Sequence, residues 1–168
     1  MIFLNINLIY FKYKYIIQFI IIKGLVNYIN ALKSKESFCL FGELGAGKES
    51  RLNNLAKRNG YDSVLRIYLD DAELEDLAGT PGKGGTTCPK WMNYIIDNKN
   101  SQFVLVFCGK KKYFTPKVYN ALMPIVLDNK LCGKKCDNFI VCFACDEPLQ
   151  DDMPRSMKSE FTPNFFTV

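Results

Sequence analysis

Phe38 to Ser50 reads FCLFGELGAGKES, a short apolar run followed by a glycine-rich turn and then by a segment with helical spacing. This order of strand, loop and helix suits a phosphate-binding loop, because the backbone N–H groups of the turn and the helix start point towards an anion. The pattern G-x-x-x-x-G-K-[ST] is matched at Gly42, Gly47 and Lys48. Glu49 stands where the pattern has a hydroxyl, and Ser50 comes one place late.

The whole loop forms the predicted nucleotide-binding set: Gly42, Glu43, Leu44, Gly45, Ala46, Gly47, Lys48, Glu49 and Ser50. In such loops the lysine contacts the phosphates, and the hydroxyl that follows it ligates Mg²⁺. Two interpretations of Glu49 stay open. Its carboxylate could ligate Mg²⁺ directly, or it could pair with Lys48 and place negative charge beside the phosphates.

The composition is that of a globular domain. The 168 residues are 48% hydrophobic and 23% charged, which is enough for one domain with a sizeable core. The formal net charge of +5 is spread along the chain and is weak evidence for a nucleic-acid partner. The sequence contains no histidine, which excludes acid–base catalysis and metal ligation by that residue.

Cysteine usage bears on the compartment and on metal binding. Seven cysteines without a secretory cleavage pattern predict free thiols in a reducing, cytoplasmic setting. Cys132, Cys136, Cys142 and Cys145 have a spacing that could hold Zn²⁺. Residues 139–144 read FIVCFA, however, and an apolar run of this type favours buried thiols over a metal site.

The chain divides into an apolar N-terminal segment, residues 1–23, and one domain, residues 24–168. Residues 1–22 have the length of a membrane helix, but Lys12 and Lys14 interrupt them, which favours a packing helix over a membrane anchor. Beyond them, strands are predicted at 38–41, 64–69, 103–107, 139–144 and 165–168. Helices are predicted at 24–36, after the glycine loop, at 91–96 and at 115–129, and residues 70–85 are predicted to be a surface loop. Strands separated by helices predict a mostly parallel sheet covered on both faces, a three-layer α/β fold.

Four later segments resemble AAA+ ATPases of the MoxR and dynein-related type. YLDDAELEDLAGTP (68–81) is similar to the family's segment with an Asp-Leu-x-Gly core, and TPKVYNALMPIVLDNKL (115–131) to the helix after Walker B. FIVCFACDEP (139–148) is similar to the sensor-1 strand, and PRSMKSEF (154–161) to the segment that ends in Ser-Arg-Phe. The resemblance implies the P-loop large subdomain of an AAA+ protein, which binds ATP between ring subunits and remodels a client protein. TsaE-like proteins share the loop and the length, but no later segment follows their pattern.

Residue by residue, the resemblance implies a degenerate catalytic set. FVLVF is followed by Cys108 and Gly109 where the family has the Walker B Asp and Glu, Asp146 stands for the sensor-1 Asn, and Glu160 for the arginine finger. The favoured function is therefore ATP binding with impaired or absent hydrolysis, in a regulatory or scaffold role. One alternative is an active ATPase in which Glu49, Asp146 or a partner subunit supplies the missing groups. Another is an interaction domain that binds no nucleotide. The family's C-terminal helical lid is expected to be absent.

Overall fold

The computed structural model describes residues 27–42, 47–82, 85–161 and 164–167, without the side chains at positions 48, 49 and 167. The apolar N-terminal segment and loop residues 43–46 lie outside the described residues. No helix in the described part of the chain is long and apolar enough to cross a membrane.

Helices and strands alternate along the chain. The first described helix, α1, spans residues 27–34. The other helices are α2 (Lys48–Arg58), α3 (Leu74–Ala78), α4 (Lys90–Asp97), α5 (Pro116–Asp128) and α6 (Arg155–Phe161), with a 3-10 turn at Lys111–Tyr113. The strands are β1 (Phe38–Phe41), β2 (Ser63–Tyr68), β3 (Thr80–Gly82), β4 (Gly85–Thr87), β5 (Phe103–Gly109), β6 (Lys130–Leu131), β7 (Lys134–Lys135), β8 (Phe139–Cys145) and β9 (Phe165–Thr167).

The central sheet has five strands in the order β2-β5-β8-β1-β9, and every neighbouring pair is parallel. Parallel strands need helical crossovers, which cover both faces of the sheet. The inner strands are accordingly apolar throughout: all of β8 is buried, and so is β5 up to its last residue. The predicted parallel sheet is thus confirmed, and β8 lies between β1 and β5.

Successive side chains along each strand point to opposite faces of the sheet and pack into two separate cores. On one face, Leu40, Val106 and Cys142 pack with the buried residues of α1 and α2. On the other face, Leu105 and Phe143 pack with α3, α4, α5 and α6. The fold therefore has three layers, and the position of a residue along a strand decides which helices it contacts.

Residues 70–85, predicted to be a surface loop, contain α3 and one strand of the β3–β4 hairpin. A reciprocal capping box begins α3, with the backbone N–H of Glu73 donating to the carboxylate of Asp76 at 3.0 Å. The prediction missed these elements because α3 has five residues and the hairpin strands are exposed, so they lack an apolar repeat.

The prediction of free thiols is wrong for two cysteines. Cys88, just before α4, is disulfide-bonded to Cys132 in the turn between β6 and β7, with a Cα–Cα separation of 5.8 Å. Cys142 and Cys145 are buried in β8. Within the described ranges, no group of three or more Cys, Asp or Glu side chains is placed to hold a metal ion. The four-cysteine zinc alternative therefore has no geometric support.

Candidate functional site

The carboxyl edge of the sheet, where the parallel strands end, brings several of the predicted site residues together. Cys145, the last residue of β8, pairs with Phe41 on one side and with Gly109 on the other. The backbone N–H of Gly42 donates to the carbonyl oxygen of Cys145 at 3.2 Å. Gly42 and Gly109 thus flank the end of β8. In open α/β sheets, ligands bind at this edge.

Helix α2 begins at this edge with its first N–H groups uncapped by any described side chain. Gly47 precedes the helix in the left-handed conformation, with φ 73° and ψ 18°, which glycine adopts without strain. The hydroxyl of Ser50 donates back to the carbonyl of Gly47 at 3.2 Å. The hydroxyl of Ser50 is therefore hydrogen-bonded within the first turn of α2. The N-terminus of α2 carries the partial positive charge that attracts anions.

The centre of the predicted nucleotide site lies outside the described residues. This applies to Glu43, Leu44, Gly45 and Ala46, and to the side chains of Lys48 and Glu49. Their roles in phosphate and metal binding stay predictions.

The carboxyl end of β5 presents a thiol and a glycine. Cys108 is 6% exposed and lies in the core on the side of α1 and α2. A Cβ atom built on Gly109 would lie 3.3 Å from the Cβ of Leu69, closer than ordinary van der Waals contact. A larger side chain at position 109 therefore needs Leu69 to move.

Asp146 follows β8 and is hydrogen-bonded to the turn after β5. Its carboxylate accepts the backbone N–H of Lys111 at 2.8 Å and lies 3.4 Å from the thiol of Cys145. Partial burial raises the pKa of Asp146, but hydrogen bonds, led by that from Lys111, outweigh burial and hold the pKa below its ordinary value. Asp146 is therefore ionised at neutral pH.

The side chain of Lys111 makes a second contact between the turn after β5 and the turn after β8, which the sequence did not predict. Its ammonium lies 2.9 Å from the carboxylate of Asp152 in the turn after β8. The two segments are 41 positions apart, and no sequence pattern joins them. Only the adjacency of β5 and β8 brings them together.

Glu160 is not part of this group. It is exposed on α6, and this helix leads into β9, which begins beside Cys39 in β1. Because β9 runs parallel to β1, the end of α6 lies towards the amino edge of the sheet, opposite the loop.

No protein-family model matches the sequence, and no curated protein sequence matches it. Solved structures do share its fold. NtrX from Brucella abortus in complex with ATP has a TM-score of 0.59 at 10% identity, over 88% of this chain and 35% of NtrX. A RuvB mutant from Thermotoga maritima has a TM-score of 0.57 at 14% identity, over 87% of this chain and 44% of RuvB. A putative ATPase from Cytophaga hutchinsonii has a TM-score of 0.54 at 18% identity, over 87% of this chain and 46% of that protein.

At these identities the likeness shows the fold alone. It agrees with the predicted class, a three-layer α/β fold with a parallel central sheet. The chain spans less than half the length of each of these structures.

Proposed function

We propose that this chain is a nucleotide-binding module related to MoxR and dynein-related AAA+ proteins, with impaired or absent hydrolysis. It would act as a regulatory or scaffold subunit beside catalytically active ring subunits or a client protein. Two features together support this proposal. No described side chain caps the N-terminus of α2 after Gly47, and β5 ends in Cys108 and Gly109 with no carboxylate.

Nucleotide binding is supported by the sequence of the loop and by its setting. The loop from Gly42 to Ser50 connects a buried parallel strand to a helix of 11 residues whose N-terminus faces the carboxyl edge of the sheet. A structure with the same fold, NtrX, was solved in complex with ATP. We infer that phosphates bind over the N-terminus of α2, with Lys48 as their cation.

The end of β5 does not fit a magnesium ion. Mg²⁺ prefers oxygen ligands in octahedral geometry, whereas Cys108 offers a soft, buried sulfur and Gly109 offers no side chain. Ser50, the nearest hydroxyl in the loop sequence, is bonded to the carbonyl of Gly47. Glu49 is the one proposed ligand that the loop sequence supplies.

Hydrolysis would lack its usual groups. A general base typically contributes about 10²- to 10⁴-fold to the rate, and an arginine finger about 10³- to 10⁵-fold. The sequence has no Asp or Glu from Ser101 to Leu127, and Glu160 would replace the arginine. Asp146, which could act as a base, already accepts the backbone N–H of Lys111, and its lowered pKa makes it a weaker base.

Titration with a fluorescent ATP analogue tests the binding. We expect saturable binding that Lys48→Ala weakens at least tenfold, because the variant loses the phosphate-binding cation. Lys57→Ala, at the exposed last turn of the same helix, serves as the matched control and should leave the affinity unchanged. No saturable signal, or equal binding by the two variants, would favour an interaction domain without a nucleotide.

Phosphate release then tests the turnover. The proposal expects a rate at background both for the wild-type chain and for Lys48→Ala, measured with Mg²⁺ present. A rate well above background that depends on Lys48 would instead establish an active ATPase with an unusual catalytic set.

A further inference from the structure

We propose that the Cys88–Cys132 disulfide is a site of thiol–disulfide exchange, which a small thiol opens at Cys88. The cavity beside this disulfide favours a cationic aminothiol over an anionic thiol. None of the residues of this site belongs to the nucleotide-binding loop, so the site is a second one beyond the proposed function. All seven cysteines of the chain lie among the described residues, and the position of each one is therefore known.

The disulfide lies where a small molecule can reach it. Cys88, in the link between β4 and α4, and Cys132, in the turn between β6 and β7, are both half-buried. The free thiol of Cys136 is also half-buried. The other four thiols are buried in strands of the central sheet: Cys39, Cys108, Cys142 and Cys145. Exchange with a dissolved thiol therefore concerns the disulfide and Cys136.

Cys88 lines a cavity between α3, the β3–β4 hairpin and the start of α4. The cavity has a volume of about 530 Å³, within the range of small-molecule sites. Among the described residues that line it, Cys88 is the only cysteine. The Sγ atom of Cys132 lies 3.5 Å from the Sδ atom of Met92, a buried residue of the core. A thiol that enters the cavity therefore meets Cys88, and the core lies behind Cys132.

The exchange runs in two steps. The thiolate sulfur of the small molecule attacks Sγ of Cys88 and forms a new S–S bond, while the bond from Cys88 to Cys132 breaks. The Sγ atom of Cys132 leaves with the electron pair and takes up a proton from water. A second small thiol then attacks the mixed disulfide and releases the thiol of Cys88. Two small thiols are thereby oxidised to one disulfide, and the protein disulfide is reduced.

The charges of the cavity wall distinguish between thiols. The carboxylates of Glu75 and Asp76 line the cavity, against one ammonium group, that of Lys90. Residues 70–76 contain five acids and no cation. The indole of Trp91 also lines the cavity, and its N–H donates to the carbonyl of Asp76 at 2.8 Å. Because carboxylates and an indole ring both attract cations, the cavity favours a thiol that carries an ammonium group.

The rates of exchange with cysteamine and with 3-mercaptopropionate, at low salt, test the inference. The two thiols are similar in length but differ by two units of charge. Each rate is divided by the rate of the same thiol with the chain unfolded in urea, which removes differences in intrinsic reactivity. We expect the normalised rate for cysteamine to be at least about threefold higher, since one uncompensated carboxylate about 8 Å away changes the ratio roughly fivefold in water. High salt should reduce this difference.

Glu75→Gln should lower the ratio of the two normalised rates at least about twofold, because it removes one carboxylate from the cavity wall. Glu160→Gln is the matched control. Glu160 is also exposed on a helix, but α6 leads into β9, at the end of the sheet far from β2 and β5. The same charge change there should leave the ratio unaltered.

Alkylation after an acid quench, followed by peptide mass mapping, identifies the sulfur that is attacked. In the Cys136→Ser variant, which lacks the other half-buried thiol, we expect at least about ten times more mixed disulfide on Cys88 than on Cys132. A mixed disulfide mainly on Cys132 overturns the assignment of Cys88. Equal normalised rates for the two thiols, or an unchanged ratio in Glu75→Gln, overturn the charge preference. A purified chain that lacks this disulfide after oxidation in air overturns the exchange site and leaves the proposed nucleotide binding intact.

Discussion

At the scale of single residues, the packing at the end of β5 leaves little room for a side chain at position 109. The resemblance to AAA+ proteins aligns Gly109 with a general base, and a Cβ atom added there would lie 3.3 Å from the Cβ of Leu69, which would have to shift by a few tenths of an ångström. Tyr113 lies 3.8 Å from the same point. A side chain at position 109 would therefore need Leu69 to move.

Gly109→Glu should consequently fail to restore ATP hydrolysis. We expect the free energy of unfolding to fall by about 1–3 kcal/mol, the usual cost of an overpacked position, and phosphate release to stay at background. Urea unfolding and a phosphate-release assay measure the two effects.

Lys110→Glu is the matched control, because the same side chain then enters an exposed neighbouring position and should change stability by no more than about 0.5 kcal/mol. A Gly109→Glu variant of wild-type stability that hydrolyses ATP would mean that only the base was missing.

At the scale of elements, helices and strands with strong local sequence patterns were predicted correctly, and those with weak patterns were not. The buried runs FVLVF and FIVCFA predicted β5 and β8, and Pro116 predicted the first turn of α5, where Thr115 accepts the N–H of Val118 at 3.3 Å. The β3–β4 and β6–β7 hairpins have strands of two or three residues, too short for any repeat. The Cys88–Cys132 disulfide joins positions 44 apart, a pairing that the spacing of seven cysteines does not determine.

This disulfide should stabilise the α4 side of the fold by joining the start of that helix to the β6–β7 turn. Closing a loop of 44 residues is expected to contribute about 2–4 kcal/mol, mainly by restricting the unfolded chain. Dithiothreitol and Cys88→Ser should each lower the free energy of unfolding by this amount, and the two effects should not add.

Cys136→Ser is the control, since Cys136 is a half-buried free thiol just after β7 and its loss should leave the sensitivity to reductant intact. Equal stability with and without reductant, measured by urea unfolding, would show that the disulfide contributes nothing.

At the scale of the whole molecule, the sheet order decides which residues form the site. Apolar runs predicted the strands, and the resemblance to AAA+ proteins predicted which of them carry the loop and the catalytic positions. The placement of β8 between β1 and β5 puts Asp146 next to Gly42 and ties it to Lys111. The hydrogen bond between Lys111 and Asp146 forms because the turn after β5 folds back towards the turn after β8. Neither turn has a sequence repeat from which such a contact could be predicted. Glu160, which the resemblance aligns with an arginine that reaches the nucleotide of a neighbouring subunit, lies near the other edge of the sheet, and its role stays a prediction.

The buried thiols and phenols of both cores should make the protein sensitive to alkali. Burial raises the pKa of Cys39 and Cys142 well above the ordinary range, and raises the pKa of Cys145 and of Tyr61 to about 12 each. Because the folded-state pKa values are raised, the native state holds protons that the unfolded chain releases above about pH 8.5 for cysteine and about pH 10 for tyrosine. The stabilisation is complete below that range and is lost as the pH rises towards 12. The chain has no histidine, so its stability should change little between about pH 6 and 8.

Urea unfolding from about pH 7.5 to about pH 10.5, without oxygen or reductant, should show a loss of stability of up to about 2–3 kcal/mol for each thiol whose pKa is raised. Cys39→Ala should lower the whole curve, because it leaves a cavity, and should also reduce its slope against pH, because one raised pKa is gone. Phe38→Leu, at the neighbouring buried position, should lower the curve without changing the slope. A flat curve up to about pH 10.5 would mean that these thiols are not held away from water in the folded state, and the two-core packing described for the sheet would then be wrong at β1 and β8.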